Sequence, residues 1–405
     1  MATQSRNLRT GRPIWPNAGH ARLRLRRLTR DISTDVLVVG AGITGAMVAD
    51  ALSDTGFAVV VVDRRGPAKG STAASTALVQ YEIDQPLTQL SRQIGPANAV
   101  RAWRRSRLAV DALAARLSEI DVPKVARNAS LYIAGEMLDA AALAREGDAR
   151  RAAGLETRFL KRGEISERFG VRAKAALLSY GNLAIDPRRA SIELLAVAVK
   201  NGARIYSPVD IAEVTYAARH VTATTADGHR IRCKHLVYAT GYEMADDMPR
   251  KGHQIITTWA IATVPQRHLA CRGLMLWEAS DPYIYLRCAG ERIICGGEDE
   301  EFSNDDHRDA LISRKTATLR RKLAKLVPGA DTRIDYAWAG SFGASATGLP
   351  TIGRIPGKPR CWVAMGYGGN GTTYSRIAAE IIRAALTGHD DPDTDLYKIG
   401  KRRRR

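Results

Sequence analysis

The chain carries its clearest structural signal in Asp35-Val36-Leu37-Val38-Val39-Gly40-Ala41-Gly42-Ile43-Thr44-Gly45. The residues before the first glycine are mostly β-branched and apolar on both faces, which is typical of a buried parallel strand. The glycines follow with the spacing G-x-G-x-x-G. In this motif the first glycine forms a tight turn, the second lets the backbone approach a pyrophosphate, and the third lets the next helix pack closely. The pattern predicts a phosphate-binding turn at a helix N-terminus.

The residues after this turn complete a βαβ unit. A predicted helix spans 46–55 and stops at Gly56, and a second buried strand, 58–62, ends in Asp63. An acid at this place, about 20 residues after the motif, accepts hydrogen bonds from ribose hydroxyls. The predicted nucleotide contacts are Gly40, Gly42, Ile43, Thr44, Gly45, Asp63 and the adjoining Arg64. FAD and NAD share this fingerprint, so the motif alone leaves the cofactor open.

Helical and strand-like segments alternate along the rest of the chain. The predicted helices are 96–120, 138–153, 187–201, 305–326 and 372–386, and the predicted strands are 130–134, 204–206, 235–239, 361–365, a hairpin in 210–234 and several strands in 254–297. This order predicts an α/β fold, α+β overall, in which a Rossmann-like domain carries an inserted antiparallel-sheet domain. The predicted boundaries are a basic N-terminal extension at 1–33, a discontinuous nucleotide-binding domain at 34–95, 176–252 and 336–390, a substrate-binding domain at 96–175 and 253–335, and a basic tail at 391–405.

The formal net charge of +19 is concentrated partly at the two ends of the 405-residue chain. Eight arginines precede Asp31 with no acid among them, and the chain finishes with Lys401-Arg402-Arg403-Arg404-Arg405. Such blocks are usually solvated, partly disordered tails. Neither aromatic interleaving nor a helix-turn-helix pattern indicates specific nucleic-acid binding, whereas peripheral contact with an anionic membrane surface stays an alternative.

Cysteine usage and hydropathy indicate the compartment. Five cysteines without a C-x-x-C pair argue against a disulfide framework and a zinc site, and no metal site is predicted. No run reaches the roughly 18 apolar residues of a membrane-spanning helix. Arg26-Arg27 precedes a nucleotide-binding strand and not an export signal. These features favour the reducing cytoplasm, while the oligomeric state is not predicted.

Three further segments decide between the cofactors: Gly70-Ser71-Thr72-Ala73-Ala74-Ser75, Val237-Tyr238-Ala239-Thr240-Gly241 and the glycine-rich run 366–371 before the last helix. In this order the chain resembles the D-amino acid oxidase family of FAD-dependent oxidoreductases. The segments 11–16, 283–287 and 294–299 are most similar to its γ-glutamylputrescine oxidase-like branch. The resemblance implies a two-domain flavoenzyme.

The resemblance also implies which residues hold FAD. The residues that it adds to the nucleotide contacts are Ser71, Thr72, Val209, Thr240, Gly241, Gly368, Gly369, Asn370, Gly371 and Thr372. The helix after this last glycine cluster would stabilise negative charge on the reduced flavin. Ala73 and Ala74 stand where histidine-linked relatives carry histidine, and 339–346 contains no cysteine for a thioether. Non-covalent FAD is therefore expected.

The family oxidises C–N bonds of amines or amino acids by hydride transfer to flavin N5, giving an imine that hydrolyses to an aldehyde or keto acid. Glycine-oxidase-like relatives bind the substrate carboxylate with an arginine at the position of Phe342 in this chain. Phenylalanine cannot pair with a carboxylate, so simple α-amino acids become less favoured. Tyr285 and Arg287 alternate on a predicted strand and so point to the same face. They are a candidate clamp for a γ-glutamyl polyamine, and the alternative is a surface or structural pair, since strand arginines are mostly exposed.

Two other functions compete with this hypothesis. A D-amino acid or proline dehydrogenase would pass electrons to a quinone in place of O2, with the basic tails touching a membrane surface. A non-catalytic flavin-binding interaction protein would bind FAD without being reduced by any amine.

Overall fold

The structure is a computed structural model that describes residues 5–15, 23–246, 248 and 252–399. The strands, numbered in chain order, are β1 (Arg9–Gly11), β2 (Leu25–Arg26), β3 (Ile32–Val39), β4 (Val59–Val62), β5 (Leu78–Val79), β6 (Ala126–Ile133), β7 (Thr157–Lys161), β8 (Ala175–Ala184), β9 (Arg204–Tyr206), β10 (Ile211–Tyr216), β11 (Val221–Thr225), β12 (Arg230–Tyr238), β13 (His253–Thr263), β14 (Leu274–Glu278), β15 (Ile284–Ala289), β16 (Arg292–Glu300), β17 (Ile334–Ser345), β18 (Thr351–Ile355) and β19 (Lys358–Met365). The helices are α1 (Ile43–Leu52), α2 (Leu87–Ile94), α3 (Pro96–Glu119), α4 (Ala140–Ala152), α5 (Arg162–Phe169), α6 (Pro187–Lys200), α7 (Asp305–Ala310), α8 (Ile312–Leu326), α9 (Gly371–Leu386) and α10 (Thr394–Tyr397). Short 3₁₀ turns lie at Ser71–Ala74 and Gly368–Asn370.

A nine-stranded sheet carries the glycine turn. Its order is β10-β11-β12-β3-β4-β9-β2, and β19 pairs with the end of β12. Strands β12, β3, β4 and β9 run parallel. Val36 and Val38 pack into the core beneath α1, α6 and α9, whereas Leu37 and Val39 pack into the core on the opposite face. Burial on both faces is the reason for the continuous apolar run in the sequence, and the predicted α/β fold class is confirmed.

Helix α1 begins three residues earlier and ends three residues earlier than predicted. It begins at Ile43 because Gly42 has an extended backbone, so the helix follows the turn directly. Its last turn is closed by hydroxyls: Ser53 Oγ donates to the Asp50 carbonyl and Thr55 Oγ1 donates to the Leu52 carbonyl. These side-chain bonds take the place of the final helical turn.

A ten-stranded, mostly antiparallel sheet forms the second layer. Its order is β1-β17-β13-β16-β15-β14-β6-β8-β5, with β7 beside β8. Helix α8 covers one face, where Leu319 and Leu323 pack against Trp259 in a shared core. The predicted helix 305–326 is divided into α7 and α8, and the predicted hairpin in 210–234 consists of three strands, β10, β11 and the first part of β12.

The two sheets distribute the chain differently from the predicted domain ranges. Strand β8 lies in the ten-stranded sheet because it pairs with β6, and β17 lies there because it pairs with β13 over its whole length. Helix α3 instead packs against the first core, where Trp103 is fully buried. The predicted tail at 391–405 is also docked as far as α10, since Arg105 binds Asp391 at 2.8 Å. Residues 400–405 lie outside the described ranges.

The described ranges contain no helix that is both long and apolar enough to span a bilayer. In the same ranges no group of three or more His, Cys, Asp or Glu side chains is arranged to hold a metal ion. All five cysteines are buried free thiols.

Candidate active site

One cavity lies where the parallel strands of the first sheet end against the face of the second sheet. The carboxyl ends of β3, β4 and β12 open into it, the usual place for a ligand in such sheets. Strands β13, β14, β15 and β17 supply the opposite wall. The predicted FAD contacts that line this cavity are Gly40, Gly42, Ile43, Thr44, Asp63, Arg64, Ser71, Thr72, Val209, Thr240, Gly241, Gly368, Gly369, Asn370, Gly371 and Thr372.

The glycine turn admits no larger side chain at two of its positions. Gly40 has φ +110°, and a Cβ there would lie 2.4 Å from the carbonyl oxygen of Ala239. Gly45 does not line the cavity. A Cβ at Gly45 would lie 1.8 Å from the carbonyl oxygen of Gly40, so this glycine lets α1 pack onto the turn. The N-terminus of α1 therefore sits directly at the cavity.

Asp63 is held by the backbone around it. Its Oδ2 accepts from the Ala41 N–H at 2.8 Å, and its Oδ1 accepts from the N–H groups of Arg65 and Gly66, also at 2.8 Å. Burial raises the pKa of Asp63. Arg64 forms an ion pair with Asp210 at 2.9 Å. The predicted ribose acid is thus fixed in place at the cavity wall.

Unsatisfied polar groups show that this end of the cavity suits a nucleotide. Ser71 Oγ and Thr240 Oγ1 are buried and have no hydrogen-bond partner within the described part of the chain. Thr72 Oγ1 accepts from the Ile43 N–H at 3.0 Å, beside the α1 N-terminus. Buried hydroxyls without partners are rare, and a helix N-terminus attracts phosphate. The residues present fit the phosphate and ribose groups of FAD.

The N-terminal segment 5–15 lies across the nucleotide end of the cavity, a contact that the sequence analysis did not predict. Its strand β1 extends the second sheet along β17, and Leu8 lines the cavity with 6% exposure. The Arg6 N–H donates to Glu243 at 2.8 Å, and Arg308 donates to the Asn7 carbonyl at 2.6 Å. The prediction of a solvated extension is therefore wrong for these residues, because buried partners far along the chain bind its backbone. The signal in the sequence was limited to the family-like segment 11–16, of which Pro16 lies outside the described ranges.

Aromatic rings form the other end of the cavity, which includes the predicted Tyr285 and Phe342. Tyr283 and Tyr285 lie with their ring centroids 5.4 Å apart. Trp277 lines the cavity and stacks on Tyr132 at 4.7 Å, which fixes its position. This end is therefore lined by packed aromatic rings.

Arg287 does not line the cavity, although it shares a strand with Tyr285. Its guanidinium donates to the carbonyl oxygens of Thr76 and Ile185, each at 2.7 Å, and it is 3% exposed. Burial lowers the pKa of Arg287 to about 10. The predicted role of Arg287 in a substrate clamp is therefore wrong. Its guanidinium is hydrogen-bonded to backbone carbonyls, and so it stabilises the backbone at Thr76 and is not available to a substrate carboxylate.

Asp84 is a site residue that no motif indicated. Its Oδ2 accepts from the Gly369 N–H at 2.8 Å. A Cβ on Gly369 would lie 2.9 Å from Asp84 Oδ1 and 3.1 Å from the Tyr283 hydroxyl, so these groups meet at the aromatic end. Burial raises the pKa of Asp84 to about 6. A carboxylate among aromatic rings is an environment that binds ammonium groups.

The cations in the cavity wall lie at the opposite end. Among the lining residues in the described ranges, the only basic side chains are Arg64 and Arg65. Arg65 binds Glu243 through two hydrogen bonds of 2.6 Å. Both arginines are therefore engaged beside the nucleotide turn.

The chain belongs to the FAD-dependent oxidoreductase family, because residues 35–385 match the family model described as FAD dependent oxidoreductase. It is a flavoprotein whose cofactor is FAD.

Relatives of this chain are similar at modest identity. The γ-glutamylputrescine oxidoreductase of Escherichia coli K12 is 23% identical over 378 residues, which cover 89% of this chain and 85% of the relative. A protein of Bacillus subtilis 168 named for a Rieske 2Fe-2S centre, YhfW, is 24% identical over 381 residues, or 91% of this chain and 72% of the relative. Glycine oxidase from Geobacillus kaustophilus superposes with a TM-score of 0.74 at 18% identity, covering 91% of this chain and 99% of that one. L-proline dehydrogenase from P. horikoshii gives the same TM-score and identity, with coverage of 91% and 97%.

Proposed function

We propose that the chain oxidises the C–N bond of an amine whose reacting carbon bears no carboxylate; a γ-glutamyl polyamine, whose remote carboxylate would remain in solvent, is one candidate. The observation that carries this proposal is the distribution of charge in the cavity. The aromatic end contains Glu82 and Asp84, whereas the basic lining residues in the described ranges, Arg64 and Arg65, lie at the nucleotide end and are paired.

A substrate with a carboxylate beside its amine would be poorly held in this cavity. Enzymes hold such a carboxylate with a charge-assisted bond, usually from arginine, and Phe342 offers only an apolar ring there. Taking an unpaired carboxylate out of water costs several kcal/mol, and Asp84 would repel it further. A protonated amine instead gains from Asp84 and from the ring of Tyr283.

The protein residues position the substrate and exclude water, since the redox step needs no side-chain acid or base in this family. When bound, FAD supplies the chemistry, taking up a hydride from the carbon next to nitrogen and leaving an imine that water hydrolyses. The aromatic rings shield the reacting carbon, and Asp84 binds the substrate amine, whose nitrogen beside the reacting carbon must lose its ammonium proton to solvent before the hydride leaves. Orientation of this kind contributes much of the rate.

Anaerobic bleaching of the flavin tests the proposal. We expect polyamines and their γ-glutamyl conjugates to bleach the purified yellow protein, and glycine, D-alanine and proline to bleach it slowly. Faster bleaching by the amino acids would contradict it. No bleaching by any of these compounds would favour a flavin-binding interaction protein.

The electron acceptor is tested separately, on whichever substrate bleaches the flavin. Hydrogen peroxide formed under air, equimolar with substrate consumed, identifies O2 as the acceptor. Turnover that requires an added quinone identifies a dehydrogenase.

A further inference from the structure

The segment 78–84 presents alternate side chains to the cavity. Leu78, Gln80, Glu82 and Asp84 line it, whereas the residues between them point into the core. The three core side chains are Val79, Tyr81 and Ile83, which are 1%, 0% and 2% exposed. Three successive cavity-facing positions are therefore polar, and we call Gln80, Glu82 and Asp84 the acceptor ladder.

The acceptor ladder is hydrogen-bonded to the glycine-rich turn before α9 and to the first turn of that helix. The Gln80 carbonyl accepts from Thr373 Oγ1 at 2.6 Å, and the Glu82 carbonyl accepts from Asn370 Nδ2 at 2.6 Å. The Asp84 carboxylate accepts from the Gly369 N–H. The same turn, 368–372, is where the flavin ring is expected, so the ladder lies beside the reacting end of the cavity.

Two of these side chains carry buried polar atoms without partners. Glu82 is 2% exposed, and its Oε2 has no hydrogen-bond partner within the described residues. Its Oε1 accepts from Ser130 Oγ at 2.5 Å and from Asn182 Nδ2 at 3.4 Å. Gln80 Nε2 is likewise buried without a partner there. Buried polar atoms without a hydrogen-bond partner are rare in proteins, unless a bound ligand supplies the partner.

Burial raises the pKa of Glu82, because the protein balances the charge of its carboxylate only in part. Arg150 acts on it electrostatically, but this arginine binds Glu146 at 2.8 Å and lies over the ring of Trp103 at 4.5 Å. It does not line the cavity. A cation that enters the cavity would therefore lie near two carboxylates, those of Glu82 and Asp84. The Cα atoms of these residues are at most about 7 Å apart, since two extended residues span no more.

We infer that the acceptor ladder binds two nitrogens of a linear polyamine or an N-acyl polyamine, with Asp84 and Glu82 each binding one of them; the nitrogen beside the reacting carbon loses its proton to solvent before the hydride leaves. The inference rests on the proposed function and names its substrate class. Two carboxylates at this spacing match a ligand with two cationic nitrogens on one flexible chain. Gln80 presents both a donor and an acceptor, which suits an amide or a neutral amine nitrogen. The ring of Tyr283 adds a cation–π contact next to Asp84.

The test compares a diamine with a monoamine of the same carbon chain, putrescine against butylamine, in the FAD-loaded enzyme. Glu82→Gln and Asp84→Asn remove one charge each while keeping the shape of the side chain. We expect the KM for putrescine to rise about tenfold or more in each variant. The KM for butylamine should change less than about twofold in Glu82→Gln, whereas Asp84→Asn should raise it as well, because a single amine also binds Asp84. Glu167→Gln, an exposed position on α5, is the control for loss of one negative charge and should leave both KM values unchanged.

Flavin content and thermal midpoint are measured for every variant, so that a folding defect is distinguished from lost recognition. A second readout is the shift of the flavin absorption spectrum on titration with a permethylated diammonium or its monoammonium counterpart, which needs no turnover. The inference is overturned if both variants bind diammonium and monoammonium ligands as the wild type does. If amino acids, and no amine, bleach the wild-type flavin, the proposed function is refuted. If amines bleach the flavin but the wild type does not prefer diammonium ligands, only the inference about the acceptor ladder is refuted.

Discussion

We propose that the choice between amine and amino acid depends most on Phe342. It lines the cavity from β17, where an arginine would provide a carboxylate site. We expect Phe342→Arg to raise the rate of flavin reduction by glycine or D-alanine by about tenfold or more, the effect of roughly 1.4 kcal/mol. The same change should slow reduction by amines because a second cation would repel them. Phe342→Leu is the control for lost ring volume, and equal amino-acid rates in both variants would refute this role.

Asp84 makes the affinity for cations depend on pH. Its pKa is raised to about 6, chiefly by burial, so the carboxyl is an anion above that pH and neutral below it. Amines of this class keep their charge up to about pH 10. We therefore expect the Kd of a permethylated diammonium to rise as pH falls from 7.5 to 5, by up to about tenfold per unit below the pKa.

Other groups act on the same part of the cavity. They are the neutral hydroxyl of Tyr283, the Gly369 N–H, Glu82, and Asp299, whose pKa burial raises to about 7. Binding measured by the flavin spectrum in Asp84→Asn isolates the contribution of Asp84. Loss of most of the pH dependence below pH 6.5 supports the assignment, and an unchanged profile in this variant would rule it out.

At the scale of elements, segment 5–15 is a strap across the nucleotide end of the cavity. Leu8 lines the cavity, and β1 pairs with β17, so removal of residues 1–11 should expose the cofactor to solvent. We expect this truncation to weaken FAD binding about tenfold or more, measured as recovery of free-flavin fluorescence after dilution. Removal of residues 1–4, which leaves these contacts intact, should change nothing. Equal FAD release from both truncations would show that the strap does not retain the cofactor.

The elements that could be predicted are those whose signal is local. The turn after β3, α1 and the acid after β4 fall within about 30 residues, the size of one βαβ unit, and each position has a backbone reason for its residue type. The strap could not be predicted because its partners are remote: Arg6 meets Glu243 and Asn7 meets Arg308. Asp84 was missed for the same reason, since Gly369 and Tyr283 define its role.

The strand that contains Arg287 was predicted correctly, but the role of the Arg287 side chain was not. The sequence placed Tyr285 and Arg287 on one face of a strand, and β15 contains both residues. Which of them reaches the cavity depends on the carbonyls of Thr76 and Ile185, about 100 to 200 positions away in the chain. Periodicity within an element contains no information about such partners.

At the scale of the whole molecule, FAD is expected to be dissociable. The lining residues in the described ranges include neither cysteine nor histidine, which carry the flavin in covalently linked relatives. We expect acid precipitation of the yellow protein to leave the flavin in the supernatant and a colourless pellet. A pellet that keeps the colour would contradict this, and mass spectrometry of its peptides would locate the link.

We propose that the molecule combines an FAD-binding fold with a cavity that binds an amine without an adjacent carboxylate. N-acetylputrescine and Nδ-acetylornithine test it most directly, because each has one amine and they differ only in a carboxylate on the carbon that bears it. Stopped-flow flavin reduction under anaerobic conditions should be at least about a hundredfold faster with N-acetylputrescine than with either enantiomer of Nδ-acetylornithine, a difference of roughly 2.7 kcal/mol. Equal rates, or faster reduction by Nδ-acetylornithine, would contradict the account.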